Sequence, residues 1–325
     1  MQRHRPYAGP VSTTSVTEPP TDRLTRRQRW TRRALLVNVV AQGVLVVTGG
    51  AVRLTGSGLG CSTWPQCEPG SFTPAIHQAT SIHPFIEFGN RTLTGFLAVI
   101  ALTVAVLVWT DRTRSRSYRL LGLAPVLGVV AQAVIGGVTV LFHLNPAVVG
   151  VHMLVSLALV TVSTVLVVRE RAGDSPALPV VTPRLISLAR LLTVVAVALL
   201  ALGVVVTGSG PHGGDDKVAY RFAVDPVLIA RAHAGVVWLF VVVLAVVLVS
   251  LHRTAAPGAT RRAGLWLLAV TLLQGVIGYV QYFTGLPVVL VGLHMLGAVL
   301  LTASLTVFVT SLRTRDAVVP ATATD

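Results

Sequence analysis

The chain has 325 residues, of which 53% are hydrophobic and only 12% charged, with a net charge of +14. A soluble domain carries roughly 25% charged residues, so a soluble enzyme, a disordered protein and a nucleic-acid-binding protein all fit poorly. The positive charge is no nucleic-acid signal, because the Arg residues flank apolar runs instead of forming a basic domain.

Residues 1–33 carry Pro6, Pro10, Pro19 and Pro20 among Ser and Thr, and read as a disordered cytoplasmic tail. No apolar stretch precedes Ala34, so this segment is not a signal peptide. No Asp, Glu, Lys or Arg then occurs in 34–52, 92–110, 120–168, 191–214, 232–252 or 263–312. A helix needs about 20 apolar residues to cross a bilayer, so four windows hold one helix each and the two long ones hold two. The expected fold is an all-α integral membrane protein of eight transmembrane helices. The predicted helices are 34–54, 84–109, 120–142, 146–168, 186–207, 226–250, 263–283 and 287–311. An N-terminal four-helix bundle (34–168), a cytoplasmic linker (169–185), a C-terminal four-helix bundle (186–312) and a cytoplasmic tail (313–325) follow from them. Of 26 cations, 21 fall on the side of the two termini, which places both termini in the cytoplasm of a cell-membrane protein.

Two loops on the opposite side are long (55–83 and 208–225) and two turns are tight (143–145 and 284–286). That alternation predicts a duplication. Residues 132–154 align with 274–296 without a gap, with eleven of 23 positions identical, among them Gln132/Gln274, Gly136/Gly278 and His152/His294. The first helices match more loosely, through Leu54-Thr-Gly-Ser-Gly58 and Val206-Thr-Gly-Ser-Gly210. Four helices per repeat give both repeats one orientation, related by a pseudo-twofold axis along the membrane normal. Two bundles side by side are therefore expected.

Three of the nine His lie inside helices at matched depth. His152, His233 and His294 each fall roughly 10 Å below the outer surface at 1.5 Å per residue. An ionisable group there is costly and points to function. A lone His often bonds a neighbouring carbonyl, but three in repeat-related places favour a flat cofactor held by imidazole nitrogens. Haem, ligated by His from facing helices, fits that layout; zinc needs a tetrahedral cluster that no spacing here supplies. His233 and His294 form the candidate pair in the second bundle. In the first, Asn90 occupies the place of His233, leaving His152 without an obvious partner; His83, two turns earlier on the same face, is the alternative.

Glu87 is the one acidic residue placed inside a helix. It forms either an ion pair with Arg91 at i+4 or a proton-relay or substrate-orienting carboxylate, and the second is favoured. Cys61 and Cys67 are the only cysteines. On the oxidising side they serve equally well as a disulfide staple or as a redox pair. His77, His143 and His212 read as solvated loop residues. Arg53, Arg91 and Arg231 either snorkel or contact haem propionates.

These residues together resemble the haem A synthase family. The likeness runs from about residue 34 to 312. It rests on Thr55-Gly-Ser-Gly-Leu-Gly-Cys61, Trp64-Pro-Gln-Cys67, His83-Pro-Phe-Ile-Glu-Phe-Gly-Asn-Arg91, the His of helices 4, 6 and 8, and the duplicated plan. The resemblance implies oxidation of the C8 methyl of haem O to a formyl group, through two hydroxylations and loss of water, with molecular oxygen or water as the oxygen source. It implies haem b between His233 and His294, and the substrate haem on His152. It further implies a catalytic Glu87, and His83, Asn90 and Arg91 as candidate substrate contacts. The family's usual His at the place of Asn90 is absent here, as is a second cysteine pair in 208–225. A link to a haem O synthase, an electron donor not named by the sequence, and a homo-oligomer in the bilayer complete the expected partners; nucleic acid is not among them. The rival readings are a b-type cytochrome that only transfers electrons, and a transporter with a parallel repeat.

Overall fold

A computed structural model describes residues 24–74, 81–215, 217 and 220–315. The first helix, α1 (Arg26–Leu54), begins well before the predicted position 34. Thr25 accepts from the Gln28 N–H at 3.2 Å, and Gln28 Oε1 accepts from the Thr25 N–H at 2.8 Å. This capping box starts the helix, so residues 26–33 are helical and not part of a tail. Charged residues mark where a helix leaves lipid, not where its backbone ends. Residues 1–23 of the expected tail lie outside the described residues.

Next come α2 (His83–Trp109), the short α3 (Arg116–Leu121), α4 (Ala124–Leu141) and α5 (Pro146–Ala172). The predicted single helix 120–142 is thus two, broken at Gly122 and Leu123 just before Pro125, where proline cannot supply its N–H to the ladder. The second half holds α6 (Pro183–Ser209), α7 (Pro226–Arg253), α8 (Gly258–Phe283) and α9 (Val288–Ser311). Thr182 caps α6 and Asp225 caps α7. Two-residue strands that the all-α reading did not foresee, β1 (Leu178–Pro179) and β2 (Arg313–Thr314), pair antiparallel. They tie the linker between the halves to the end of α9.

Among the described residues, eight helical stretches are long and apolar enough to cross a membrane, with α3 and α4 counting as one. Large apolar side chains such as Val40, Phe96, Leu127, Val194, Trp266 and Phe283 point outward, forming an apolar surface far beyond what a water-soluble monomer shows.

The first half closes through contacts of α1 with α2, α2 with α4, α4 with α5 and α5 with α1. The second closes through α6 with α7, α7 with α8 and α8 with α9, and more weakly α9 with α6. Between halves, α5 meets α9, α1 meets α9 and α6 meets α5. Exchanging the halves maps this set onto itself, which is consistent with a pseudo-twofold passing between α5 and α9. The tight turns repeat in atomic detail. Leu144 N–H bonds Thr139 O, and Leu286 N–H bonds Gln281 O, both at 2.8 Å. Leu144 and Leu286 both adopt positive φ, at 59° and 61°, a costly conformation for a branched side chain. Val46, Leu157, Val160 and Val299 form a core shared by the two halves. Leu192, Phe240, Leu244, Leu267 and Phe308 anchor the core of the second.

Candidate functional site

The site lies at the long-loop end, opposite the Arg-rich end that carries Arg26 and Arg315. His152 sits six residues into α5, His233 seven into α7 and His294 six into α9. All three are only partly exposed, and their Nδ1 atoms are buried without a hydrogen-bond partner. Buried polar atoms are normally paired, so these three await something the protein does not supply. Each ring also faces a glycine. A Cβ placed on Gly136, Gly203 or Gly278 would lie 3.5, 3.2 or 3.3 Å from Cε1 of His152, His233 or His294. Any larger side chain at those three positions would push on the ring.

A residue pair whose part was not read from the sequence braces two of the three. Gln132 Nε2 donates to His152 O, and Gln274 Nε2 donates to His294 O, both at 2.9 Å. Its signal in the sequence is the identity of Gln132 and Gln274 across the repeat, each 20 residues before its His.

The two halves differ in donors. His233 and His294 share the second half and lie within electrostatic reach of each other. This fits a haem taken between two imidazoles. The first half offers His152 alone at this depth. Asn90, in the place of His233, accepts from Thr48 Oγ1 at 2.8 Å and is thereby tied to α1. His83 stands at the first position of α2, where its Nδ1 hydrogen-bonds Ser57 Oγ at 2.8 Å, and Ser57 in turn bonds Thr55. Among the described residues, no group of three or more His, Cys, Asp or Glu converges to hold a metal ion.

Over the first half lies the loop 55–74. Cys61 and Cys67 form a disulfide, and both residues are fully buried. Burial on this scale is the environment of an inert structural sulfur. Glu87, 6% exposed, holds the loop down. One carboxylate oxygen accepts from the Cys61 N–H at 2.8 Å and the other from Arg91 at 2.6 Å. Arg91 also donates to Thr63 O and Gln66 O. The i+4 ion pair is therefore formed, and the same carboxylate also takes the loop backbone N–H. Trp64, inside the disulfide ring, packs against Gly137 of α4, one residue from the glycine that faces His152.

The second loop is joined to the first. Arg53 donates to His212 O and Thr207 O, both at 2.9 Å. The Gly58 N–H donates to Gly214 O at 2.7 Å, and Ser57 bridges to Asp215. His212 is not simply solvated, because its Nε2 bonds Leu286 O at 3.0 Å. His143 and Arg231 are exposed. His77 lies outside the described residues.

Comparison with known proteins adds a family. Residues 32–212, more than half of the chain, match the family model described as "Cytochrome oxidase assembly protein". "Heme A synthase" of Bacillus licheniformis is 29% identical over 136 residues, 41% of this chain and 43% of that protein. "Heme A synthase" of Alkalihalophilus pseudofirmus is 30% identical over 142 residues, 42% and 46% of the two chains. That of Bacillus pumilus is 35% identical over 117 residues, 35% and 36% of the two. The chain thus spans less than half the length of the curated relatives it matches.

Proposed function

The chain belongs to the cytochrome oxidase assembly protein family, and from that premise we propose that it is a membrane haem A synthase. It would oxidise the C8 methyl of haem O to a formyl group, giving haem A for a terminal oxidase. The observation that carries this reading is the layer of three imidazoles whose Nδ1 atoms are buried without a hydrogen-bond partner, two in one half and one in the other. That distribution suits two haems with different tasks.

His233 and His294 would hold haem b in the second half, and His152 would bind the substrate haem O in the first. Bound between His233 and His294, haem b would supply one-electron chemistry at its iron. Gln132 and Gln274 fix the helix segments that carry His152 and His294. Glu87 and Arg91 clamp the disulfide loop over the first half, so Trp64 stays against α4 and excludes water above His152. In this reading Glu87 orients the substrate through the loop that it anchors, and the buried disulfide is a staple. Asn90, tied to Thr48, leaves the face opposite His152 without an imidazole. His83 and Arg91 border the same loop as further substrate contacts. Arg231, exposed on α7 two residues before His233, is a candidate contact for a haem propionate. Either oxygen source requires proton movement at the site. With water, methyl to formyl releases four protons and four electrons; with dioxygen, each hydroxylation takes up two of each.

The deciding experiment co-expresses the chain with a haem O synthase, purifies it, and identifies the extracted haems by mass. Haem b together with haem O, its hydroxylated form or haem A is expected. Haem b alone, with haem O available, would make the chain an electron-transfer cytochrome. Absence of any haem would favour a transporter.

A further inference from the structure

One face of α5 carries His152, Ser156, Ser163 and Glu170, spaced by four, seven and seven residues. Such spacing keeps them in one stripe along the helix. On the neighbouring α1, Thr31, Asn38 and Gln42 recur at seven and four. The two stripes meet where Asn38 Nδ2 donates to Ser163 Oγ at 2.9 Å. Asn38, Gln42 and Ser163 are 0%, 4% and 1% exposed. At the Arg-rich end, the buried Tyr118 hydroxyl donates to Glu170 at 2.8 Å. At the other end, Gln132 donates to Ser156 and to His152 O. The polar line from Glu170 to His152 is about 27 Å long at 1.5 Å per residue.

The groups along this line are under-bonded. Thr31 Oγ1, Asn38 Oδ1, Gln42 Nε2 and Gln132 Oε1 are buried with no protein partner. Interhelical adhesion by polar side chains explains the Asn38–Ser163 bond. It does not explain Thr31 Oγ1 and Gln42 Nε2, which lie on the same stripe of α1 as Asn38 and are left unpaired. Buried polar groups left by the protein are normally served by internal water.

The second half is a built-in control. On α9, the repeat offset that pairs His152 with His294 pairs Ser156 with Ala298, Ser163 with Leu305 and Glu170 with Leu312. On α6, the looser offset pairs Gln42 with Val194 and Asn38 with the exposed Arg190. The helices are duplicated, but the α5 stripe positions below His152 are apolar in the second half, and the buried Thr302 and Thr306 of α9 bond their own helix backbone. The α5 stripe runs in the half that carries the lone His152.

We propose that the first half holds a file of internal water along the α1–α5 seam, and that this file passes protons between Glu170 at the Arg-rich end and the site at His152. A proton taken up at one end is matched by one given up at the other, with no change of oxidation state along the way. Intramembrane polar chains of this kind are a known means of proton relay. The role of the file, though not its existence, rests on the oxidase-assembly reading above.

The test begins with the full wild-type chain in lipid nanodiscs. Brief X-ray pulses split bound water, and mass spectrometry locates the side chains that the resulting hydroxyl radicals oxidise. Leu35 and Leu166 flank the seam, while Leu192 and Leu267 occupy the core of the second half; all four are 0–1% exposed. Labelling of Leu35 and Leu166 several-fold above Leu192 and Leu267 is expected. Equal, background labelling would make the seam a dry contact and overturn the proposal. The Asn38→Leu, Gln42→Leu double variant should then lose the labelling and slow haem O turnover several-fold, with the haem absorption spectrum unchanged. Loss of labelling with full turnover would overturn proton passage and leave only the water. If wild-type chain loaded with haem O is labelled but oxidises none of it, the enzymatic reading fails while the hydrated file stands.

Discussion

At the residue scale, the histidine layer was legible because cost makes it so: an imidazole among Val and Leu inside lipid needs a reason. The environment of Glu87 was less legible, since i+4 spacing to Arg91 fits both an ion pair and a free carboxylate. What decided its position was the Cys61 N–H, a backbone donor from a loop that no pattern places. Glu87→Gln should keep the haem b absorption of the second half and lose haem O oxidation. Glu87→Asp should restore part of it, with the defect in KM more than in kcat; an unaltered wild-type rate for Glu87→Gln would remove the residue from the site. Glycine contacts give a second expectation. Gly278→Ala should be tolerated with a small shift, because its methyl lies 3.3 Å from His294. Gly278→Val should displace the ring and lower the bound haem b per chain in the purified protein. Restoring the missing imidazole by Asn90→His should convert the haem spectrum of the first half to a six-coordinate, low-spin form. No spectral change would mean that Asn90 does not face that haem.

At the element scale, six of the predicted helices agree in place with those observed, and the two clear differences share a cause. Hydropathy reports where lipid is, while caps and prolines report where the backbone turns. Thr25 starts α1 below the apolar stretch, and Pro125 splits α3 from α4 within one membrane crossing. At the Arg-rich end, the segment before α3 is fastened to the end of α5. Arg114 bonds Glu170 and Asp174, each at 2.6 Å, and Asp174 also accepts from the Ser115 N–H and hydroxyl. Partial burial alone would raise the Asp174 carboxyl. The hydrogen bonds from Arg114 and Ser115 outweigh it and hold the group down at about 2, below its ordinary 3.8. A depressed carboxylate stabilises the folded state above its unfolded pKa and loses that contribution as pH falls toward the folded value. Wild type should therefore melt higher than Asp174→Asn at pH 5, and the gap should close between about pH 4 and 2. A gap that persists at pH 2 would mean the interaction is not ionic.

On the scale of the whole molecule, the repeat was readable because ten of the eleven identities lie in the two helices that flank the turn, while within the turn itself only Leu144 and Leu286 match. Leu144 and Leu286 repeat both the positive φ and the same closing hydrogen bond. The joining of the two long loops was not readable, since Arg53 and Gly58 find backbone carbonyls of the other half, and a carbonyl has no sequence signature. Nor was the short β1–β2 pair, because two residues are too few to show an alternating pattern. The distribution of Arg should fix orientation. An alkaline phosphatase fused after Arg315 should be inactive, and one inserted in the first long loop active; the reverse result would invert the topology.

The β1–β2 pair also bears on the order of biosynthesis. β2 follows α9 and is the last described element to leave the ribosome, whereas β1 has waited since before α6. Along with the Val180 N–H to Leu312 O bond, this latch can close only once α9 has inserted. A nascent chain arrested before residue 313 would hold His233 and His294 and still lack the clasp between the linker and α9. Insertion of α9 would thus be registered as a mechanical event on the Arg-rich face, at the opposite end of the molecule from His233 and His294.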